Sequence, residues 1–468
     1  MVTELLRPGM RIHLVGIGGI GLSAIARVLH GWGYRVSGSD RQSSALTAML
    51  AAEGMTIYAG HQADQVAGAE LVVMSSAVME NNPEVVEAQR RGVPVLKRDQ
   101  LLAELTAGKV TIAVAGTHGK TTTSAMVAWI LVQAGLDPTF IVGGVLANLG
   151  TNARAGRGPN FVIEADEYDR AFLGLSPQVA VITAIEYDHP DSYPTFGEMC
   201  DAFARFAARV GAGGLLIVGG GDKEARGLGE TWCEIGGQGT TFGLGSGWDW
   251  RAEQVQMGMG TSCEVWHAGR RLGRCATGLP GRHNVLNALA ALAATDAIGV
   301  PFEMAARALS QFRGTARRFE LKGEASGVTV VDDYAHHPTE IRATLAAARV
   351  RYPGRAIWAL FQPHTYSRTA ALLEQFGTSF GDADHVLVTG IYAARESDTL
   401  GVSGADIVAQ IAQGGHPDVT YVETLDGAAA AVLERVGTGD VVLTLGAGDG
   451  YLIGEWVLDR LKGRGGRG

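Results

Sequence analysis

Residues Val110 to Gly135 read VTIAVAGTHGKTTTSAMVAWILVQAG. An apolar run of strand length passes through Gly116 and Gly119 into an apolar segment of helical length, which stops at Gly135. That strand–loop–helix order is the setting in which a glycine-bearing loop cradles phosphate, because backbone N–H groups and the positive end of the helix both face the anion. Lys120 offers a point charge to the β- and γ-phosphates of a nucleotide, and the Thr121 hydroxyl suits Mg2+. The loop is irregular: the pattern G-x-x-x-x-G-K-[ST] requires glycine where Val114 stands, so the turn shortens to GTHGKT. The competing reading is a strand-to-helix turn with an incidental lysine.

Outward from this unit, apolar strands alternate with helical periods. At the start, RIHLVGIGG, IGLSAIARVLHGWG and YRVSGSD form a βαβ unit, and LVVMSSAV (Leu71 to Val78) is a further buried strand. VPVLKRDQLLAELTAG turns from strand to helix and ends at Gly108. Beyond the phosphate loop, NFVIEADEYD and QVAVITAIEYDHPDSY are two strands that end in acidic residues or histidine. Gly211 to about Gly281 is glycine-rich, and a β-rich excursion is expected there. GRHNVLNALAALAATDAIG is a helix. From Gly314 the order strand, polar loop, helix repeats, which implies a parallel sheet with sites at the carboxyl ends of the strands. The expected class is α/β in three domains, 1–108, 109–313 and 314–468, with LKGRGGRG as a frayed tail.

The chain has 468 residues and a net charge of -9, with no dense run of Lys and Arg, so nucleic acid and anionic membranes are excluded as partners. No stretch reaches about 18 unbroken apolar residues, and the first residues lack a secretory leader pattern. Cys200, Cys233, Cys263 and Cys275 form no C-x-x-C pair, which fits a reducing cytosol without disulfides or a zinc site.

Other stretches carry chemistry. Gly16, Gly18 and Gly21 form G-x-G-x-x-G after a strand, and Asp40 ends the next strand, as in a dinucleotide fingerprint. The diphosphate held there could belong to NAD, FAD or a nucleotide sugar. Glu164 and His189 fall on the edge that carries the phosphate loop: the first is an oxygen ligand for Mg2+, the second a candidate for another metal position. Asn284 and Asn287 share a helix face, as nucleotide contacts or as polar caps. Arg317 and Arg318 precede Phe319, and Asp332 and Asp333 end a strand, for a γ-phosphate and a ribose or for ordinary ion pairs. His364 and Arg368 stand at a strand end, where arginine can grip a small carboxylate.

Taken in order, GIGGIGLSAIA, GSD, SSAV, AGTHGKTTT, EADEYD, IEYDHPDSY, GRHNVLNALAA, GTARRFE, DDYAHHPTEI, FQPHTYSR and GAGDG resemble the Mur ligase family over nearly the whole chain. The resemblance implies a Rossmann-like first domain for the UDP part of a nucleotide sugar, at Gly16, Gly18, Gly19, Gly21, Asp40 and Ser76. It implies a central ATPase with a parallel sheet and a β-rich part, and a Rossmann-like third domain closing over it. The shortened loop belongs to this family. Gly116, Thr117, His118, Gly119, Lys120, Thr121 and Thr122 would hold ATP with Asn284, Asn287, Arg318 and Asp333. Thr121 and Glu164 would bind one Mg2+ and His189 a second. His337, His364 and Arg368 would lie near the amino acid and the muramyl carboxylate, with His337 as a base. The implied reaction is ATP-driven joining of L-alanine to UDP-N-acetylmuramate through an acyl phosphate, a cytoplasmic step of peptidoglycan precursor synthesis, by a monomer or weak dimer. A murein-peptide ligase of the same family and an NAD-dependent oxidoreductase are the alternatives. Two positions depart from the family: Ala184 stands where asparagine is usual and Thr365 where arginine is frequent. No lysine suggests itself for the carbamylation that some sister enzymes use.

Overall fold

The computed structural model describes residues 5–465. The first sheet holds β1 (Arg11–Val15), β2 (Arg35–Asp40), β3 (Thr56–Ala59), β4 (Leu71–Met74) and β5 (Val95–Lys97), in the order β3-β2-β1-β4-β5. All its pairings are parallel, and the order reverses at β1, which places the glycine turn after β1 at a topological switch point.

The second sheet comprises β6 (Val110–Ala115), β7 (Thr139–Leu146), β8 (Thr151–Arg154), β9 (Asn160–Glu164), β10 (Val179–Ile182), β11 (Leu215–Gly219), β12 (Gln238–Leu244), β13 (Trp250–Met257), β14 (Thr261–His267) and β15 (Arg270–Thr277). Their order is β15-β14-β13-β12-β11-β10-β6-β9-β7-β8. The expected β-rich stretch is present as the five strands β11 to β15, interrupted by one helix that the sequence did not suggest. Strands β11, β12 and β13 extend the parallel sheet, and β14 and β15 turn antiparallel, as β8 does at the opposite edge. A helix, Lys223–Glu234, lies between β11 and β12. Gly227 and Gly229 dilute its apolar period and lower its propensity, so in sequence it looks like loop. Gly229 is needed: a Cβ there would come within 2.7 Å of Val218.

The helix after the phosphate loop, Lys120–Gln133, is buried from Thr121 through Leu131. Small and apolar residues on every side allow that, with one face on the sheet and another on helix Arg282–Asp296. Trp129 keeps its indole N–H satisfied by donating to Ala308 O at 2.8 Å.

The third sheet holds β16 (Glu320–Ala325), β17 (Val328–Asp333), β18 (Ile357–Phe361), β19 (His385–Val388), β20 (Val419–Tyr421) and β21 (Val441–Leu445), in the order β16-β17-β21-β18-β19-β20. Only β16 is antiparallel to its neighbour. The last helix runs Tyr451–Gly465, so the tail is helical as far as Gly465, and the rest of the expected frayed end lies outside the described residues. No helix among the described residues is long and apolar enough to cross a membrane, and all four cysteines are free.

The first two units share one apolar core, from Leu14, Ile25 and Leu29 to Phe161, Phe172 and Phe203. The third touches the second through polar contacts: Arg368 with Asp188, Thr339 with Glu186, and a backbone bond from Ala147 N to Gly314 O.

Candidate active site

Strand β6 lies between β10 and β9, and parallel strands present their carboxyl ends on one edge. Glu164 at the end of β9 and the segment Thr183 to His189 after β10 therefore flank the phosphate loop. Two glycines make the loop possible. Gly116 has φ +122°, and a Cβ there would sit 2.1 Å from Thr183 Oγ1; Gly119 has φ +78°, and its Cβ would sit 2.4 Å from Asn287 Oδ1. Only glycine fits either place. The loop is anchored by Thr117, whose N–H donates to Ala184 O at 2.8 Å and whose hydroxyl donates to Glu186 O at 2.9 Å. Ala184 takes part through its carbonyl, so this anchor is indifferent to the missing asparagine side chain.

Lys120, Thr121, Glu164 and His189 come together on this edge. The Thr121 hydroxyl donates to Glu164 Oε1 at 3.0 Å, and Gly143 N donates to Oε2 at 2.6 Å. Burial, ahead of every other influence, raises the Glu164 carboxyl above its ordinary value. Lys120 Nζ donates to Glu167 Oε1 at 2.7 Å and to Gly116 O at 2.6 Å. The other oxygen of Glu167, buried, has no hydrogen-bond partner. His189 has φ +54°, and its Nε2 lies 3.7 Å from Asp188 and 3.9 Å from Glu167. Carboxylates, a hydroxyl and an orphaned buried carboxylate oxygen are a donor set that fits Mg2+.

Two cavities flank these residues. One, of about 520 Å³, is lined by His118, Gly119, Thr121, Thr122, Asn284, Asn287, Arg318 and Asp333, with Phe242 and Trp248 as an apolar wall. Asn287 Oδ1 accepts from Thr123, and its Nδ2 donates to Asn284 Oδ1 at 3.1 Å, so the pair is braced rather than solvated. Asp333 accepts from the N–H groups of Phe319 and Ala335 at 2.7 and 2.8 Å, yet burial pushes its carboxyl up to about 6. Arg317 and Arg318 both lie over the Tyr334 ring, and Arg317 is also tied to Asp332 and to the carbonyls of Gly446 and Gly448.

The other cavity, of about 390 Å³, collects groups from all three units: Gly21, Ser76 and Arg98; Glu164, Asp166 and His189; His364, Arg368 and Arg395. Gly16, Gly18, Gly19 and Asp40 build the turn beside it. Gly18 N donates to Asp40 Oδ2 at 2.9 Å, and a Cβ on Gly18 would lie 2.7 Å from that oxygen. Arg368 is buried and donates from Nε to Asp188 at 2.7 Å, with Nη1 2.9 Å from His364 Nδ1. Burial, reinforced by Arg368, pushes His364 down to about 4, so it is neutral at pH 7. Thr365 caps the short helix Tyr366–Ala371, its hydroxyl accepting from Arg368 N at 3.4 Å.

His337 is placed apart from His364 and Arg368. It caps helix Pro338–Arg351, accepting at Nδ1 from Thr339 N, while Nε2 faces Tyr187 O at 3.3 Å. Both ring nitrogens are engaged in this arrangement, the residue is 1% exposed, and Nδ1 also lies 3.8 Å from Glu186 Oε2. Its neighbour His336 faces His364, ring centres 5.9 Å apart. Glu167, Glu186, Asp188, Glu340 and Arg98 are the functional-site residues that the sequence reading missed. The first three sit inside EADEYD and IEYDH, so the signal was the run of further acids beside Glu164 and His189.

Consecutive stretches of the chain match three family descriptions: "Mur ligase family, catalytic domain" over residues 11–110, "Mur ligase middle domain" over 114–295, and "Mur ligase, glutamate ligase domain" over 317–448. The chain belongs to the Mur ligase family. Among curated relatives, UDP-N-acetylmuramate–L-alanine ligase of Geobacter sp. (strain M21) is 47% identical over 453 residues, 97% of this chain and 98% of that protein. The protein of the same name from Solibacter usitatus is 46% identical, covering 99% and 98%. The crystal structure of the UDP-N-acetylmuramate-alanine ligase of Thermotoga maritima has a TM-score of 0.81 at 31% identity, covering 97% of this chain and 100% of that one. A murein peptide ligase structure from Psychrobacter arcticus has a TM-score of 0.70 at 28% identity, covering 97% and 99%.

Proposed function

We propose that this chain, acting in the cytoplasm, joins L-alanine to the carboxylate of UDP-N-acetylmuramate, driven by ATP. One observation carries the reading: Thr121 in the wall of the larger cavity donates to Glu164 in the wall of the smaller one, at 3.0 Å, so a single hydrogen bond links the two linings. A nucleotide in the larger cavity would present its terminal phosphate there, and an acid in the smaller cavity would present its carboxylate. The relatives at 46–47% identity support the choice of substrates. Domain limits at 1–108, 109–313 and 314–468 belong to the same reading.

The acid's oxygen attacks the γ-phosphorus in line, the bond to the β-phosphate oxygen breaks, and ADP leaves an acyl phosphate. Lys120 and Arg318 would neutralise the charge on the transferring group. Thr121 and Glu164 would hold one Mg2+ and His189 a second, which would add further neutralisation of that charge. The alanine ammonium gives one proton to solvent, its neutral nitrogen attacks the acyl carbon, and phosphate departs with the second proton from nitrogen. Asn284, Asn287 and Asp333 would orient the nucleoside, and the glycine turn with Asp40 and Ser76 the UDP part. His364 and Arg368 would face the alanine and the muramyl group. Because the groups come from three domains, closure keeps water from the acyl phosphate.

ADP formation with ATP, Mg2+ and UDP-N-acetylmuramate, varying only the amine, tests this. L-Alanine should support turnover; turnover with the tripeptide and none with alanine would transfer the chain to the murein-peptide branch.

A further inference from the structure

We propose that Glu167 exchanges partners during turnover: it holds Lys120 in the nucleotide-free site and, once Lys120 turns to the triphosphate, takes a divalent cation together with His189. The proposal rests on the ATP-dependent reading above. Glu167 is fully buried, 0% exposed, and one oxygen is bound to Lys120 while the other has no partner. A buried carboxylate oxygen without a donor demands an explanation. The side chain cannot rest on Asp166 beside it, which is itself anionic and engaged by Arg98.

Lys120 cannot serve Glu167 and a triphosphate equally. Its departure would strand a buried charge, which is strongly unfavourable unless another cation replaces it. His189 is the adjacent neutral ligand. Its Nε2 lies 3.9 Å from Glu167 Oε1, the oxygen that Lys120 would vacate, within the span of about 4 Å that two ligands can have across one ion with bonds of about 2.1 Å. Its ring is held by the Tyr168 ring, edge to face at 5.2 Å, and by a backbone at φ +54°. Glu164 is already served by Thr121 and Gly143, so the unfilled oxygen belongs to Glu167.

Mn2+ is the probe, titrated by electron paramagnetic resonance against the full chain. With a non-hydrolysable ATP analogue, Glu167→Gln should bind the analogue but hold one Mn2+ fewer than the unsubstituted chain. Without nucleotide, Lys120→Met should bind Mn2+ at least tenfold more tightly than the unsubstituted chain, and Lys120→Met/Glu167→Gln should lose that gain. An unchanged ion count in Glu167→Gln, or no gain in Lys120→Met, overturns the proposal. An unsubstituted chain that binds no analogue would instead sink the ATP reading, while the nucleotide-free arm still decides whether Glu167 takes a cation.

Discussion

His118 of the phosphate loop reaches across to Glu340 of the third domain, with Nδ1 3.2 Å from Oε1. Its other nitrogen lies 2.5 Å from Glu186 Oε2, and the Thr339 hydroxyl donates to Glu186 as well. Burial opposes a charge on His118, but Glu186 and Glu340 outweigh it and raise the ring from 6.5 to about 9. The imidazolium therefore clasps the two domains. Its folded value is raised, so the stabilisation is complete below pH 6.5 and is lost as pH climbs through about 9. Domain separation, followed by small-angle scattering, should increase between pH 6.5 and 9, and Glu340→Gln should flatten that profile. Identical profiles in both chains would remove the clasp.

The Asp188–Arg368 pair spans the same boundary, with both side chains no more than 5% exposed. Removing one partner leaves a buried charge alone. Arg368→Ala should cost about 3–5 kcal/mol, and Asp188→Ala/Arg368→Ala less than the sum of the single changes. Urea titration of the four chains gives the cycle, and strict additivity would mean that the pair contributes nothing.

Gly119→Ala forces a side chain into φ +78° and against Asn287. The strain, about 1–3 kcal/mol, should weaken an ATP analogue roughly tenfold to a hundredfold while leaving the sugar nucleotide untouched. Calorimetry with each ligand separates the two sites; equal losses for both would point to general unfolding.

Asp40 accepts from the Gly18 N–H, inside the first glycine turn. Asp40→Ala should raise the KM for UDP-N-acetylmuramate about tenfold, the scale of a hydrogen bond to a charged group, and leave that for ATP unchanged. An unaltered sugar-nucleotide KM would take the first domain out of substrate binding.

Lys120, Thr121, Glu164 and His189 were legible in sequence because they stand at or after the ends of three apolar strands, β6, β9 and β10, and parallel strands bring their ends to one edge without further information. Contacts between domains were not. Nothing local distinguishes His336 from His337; the helix that begins at Pro338 decides, by taking His337 as its cap. Glu167 looked like one acid among several in EADEYD, and only its burial against Lys120 sets it apart. The helix Lys223–Glu234 was hidden by its own glycines, which tertiary packing on Val218 requires.

The central claim is that the terminal phosphoryl group of ATP passes to the sugar-linked acid before the alanine nitrogen attacks it. UDP-N-acetylmuramate carrying 18O in its carboxylate, incubated with ATP, Mg2+ and L-alanine, tests that directly by mass spectrometry of the phosphate released. The account predicts one 18O per phosphate; phosphate free of label, with product still formed, would contradict it.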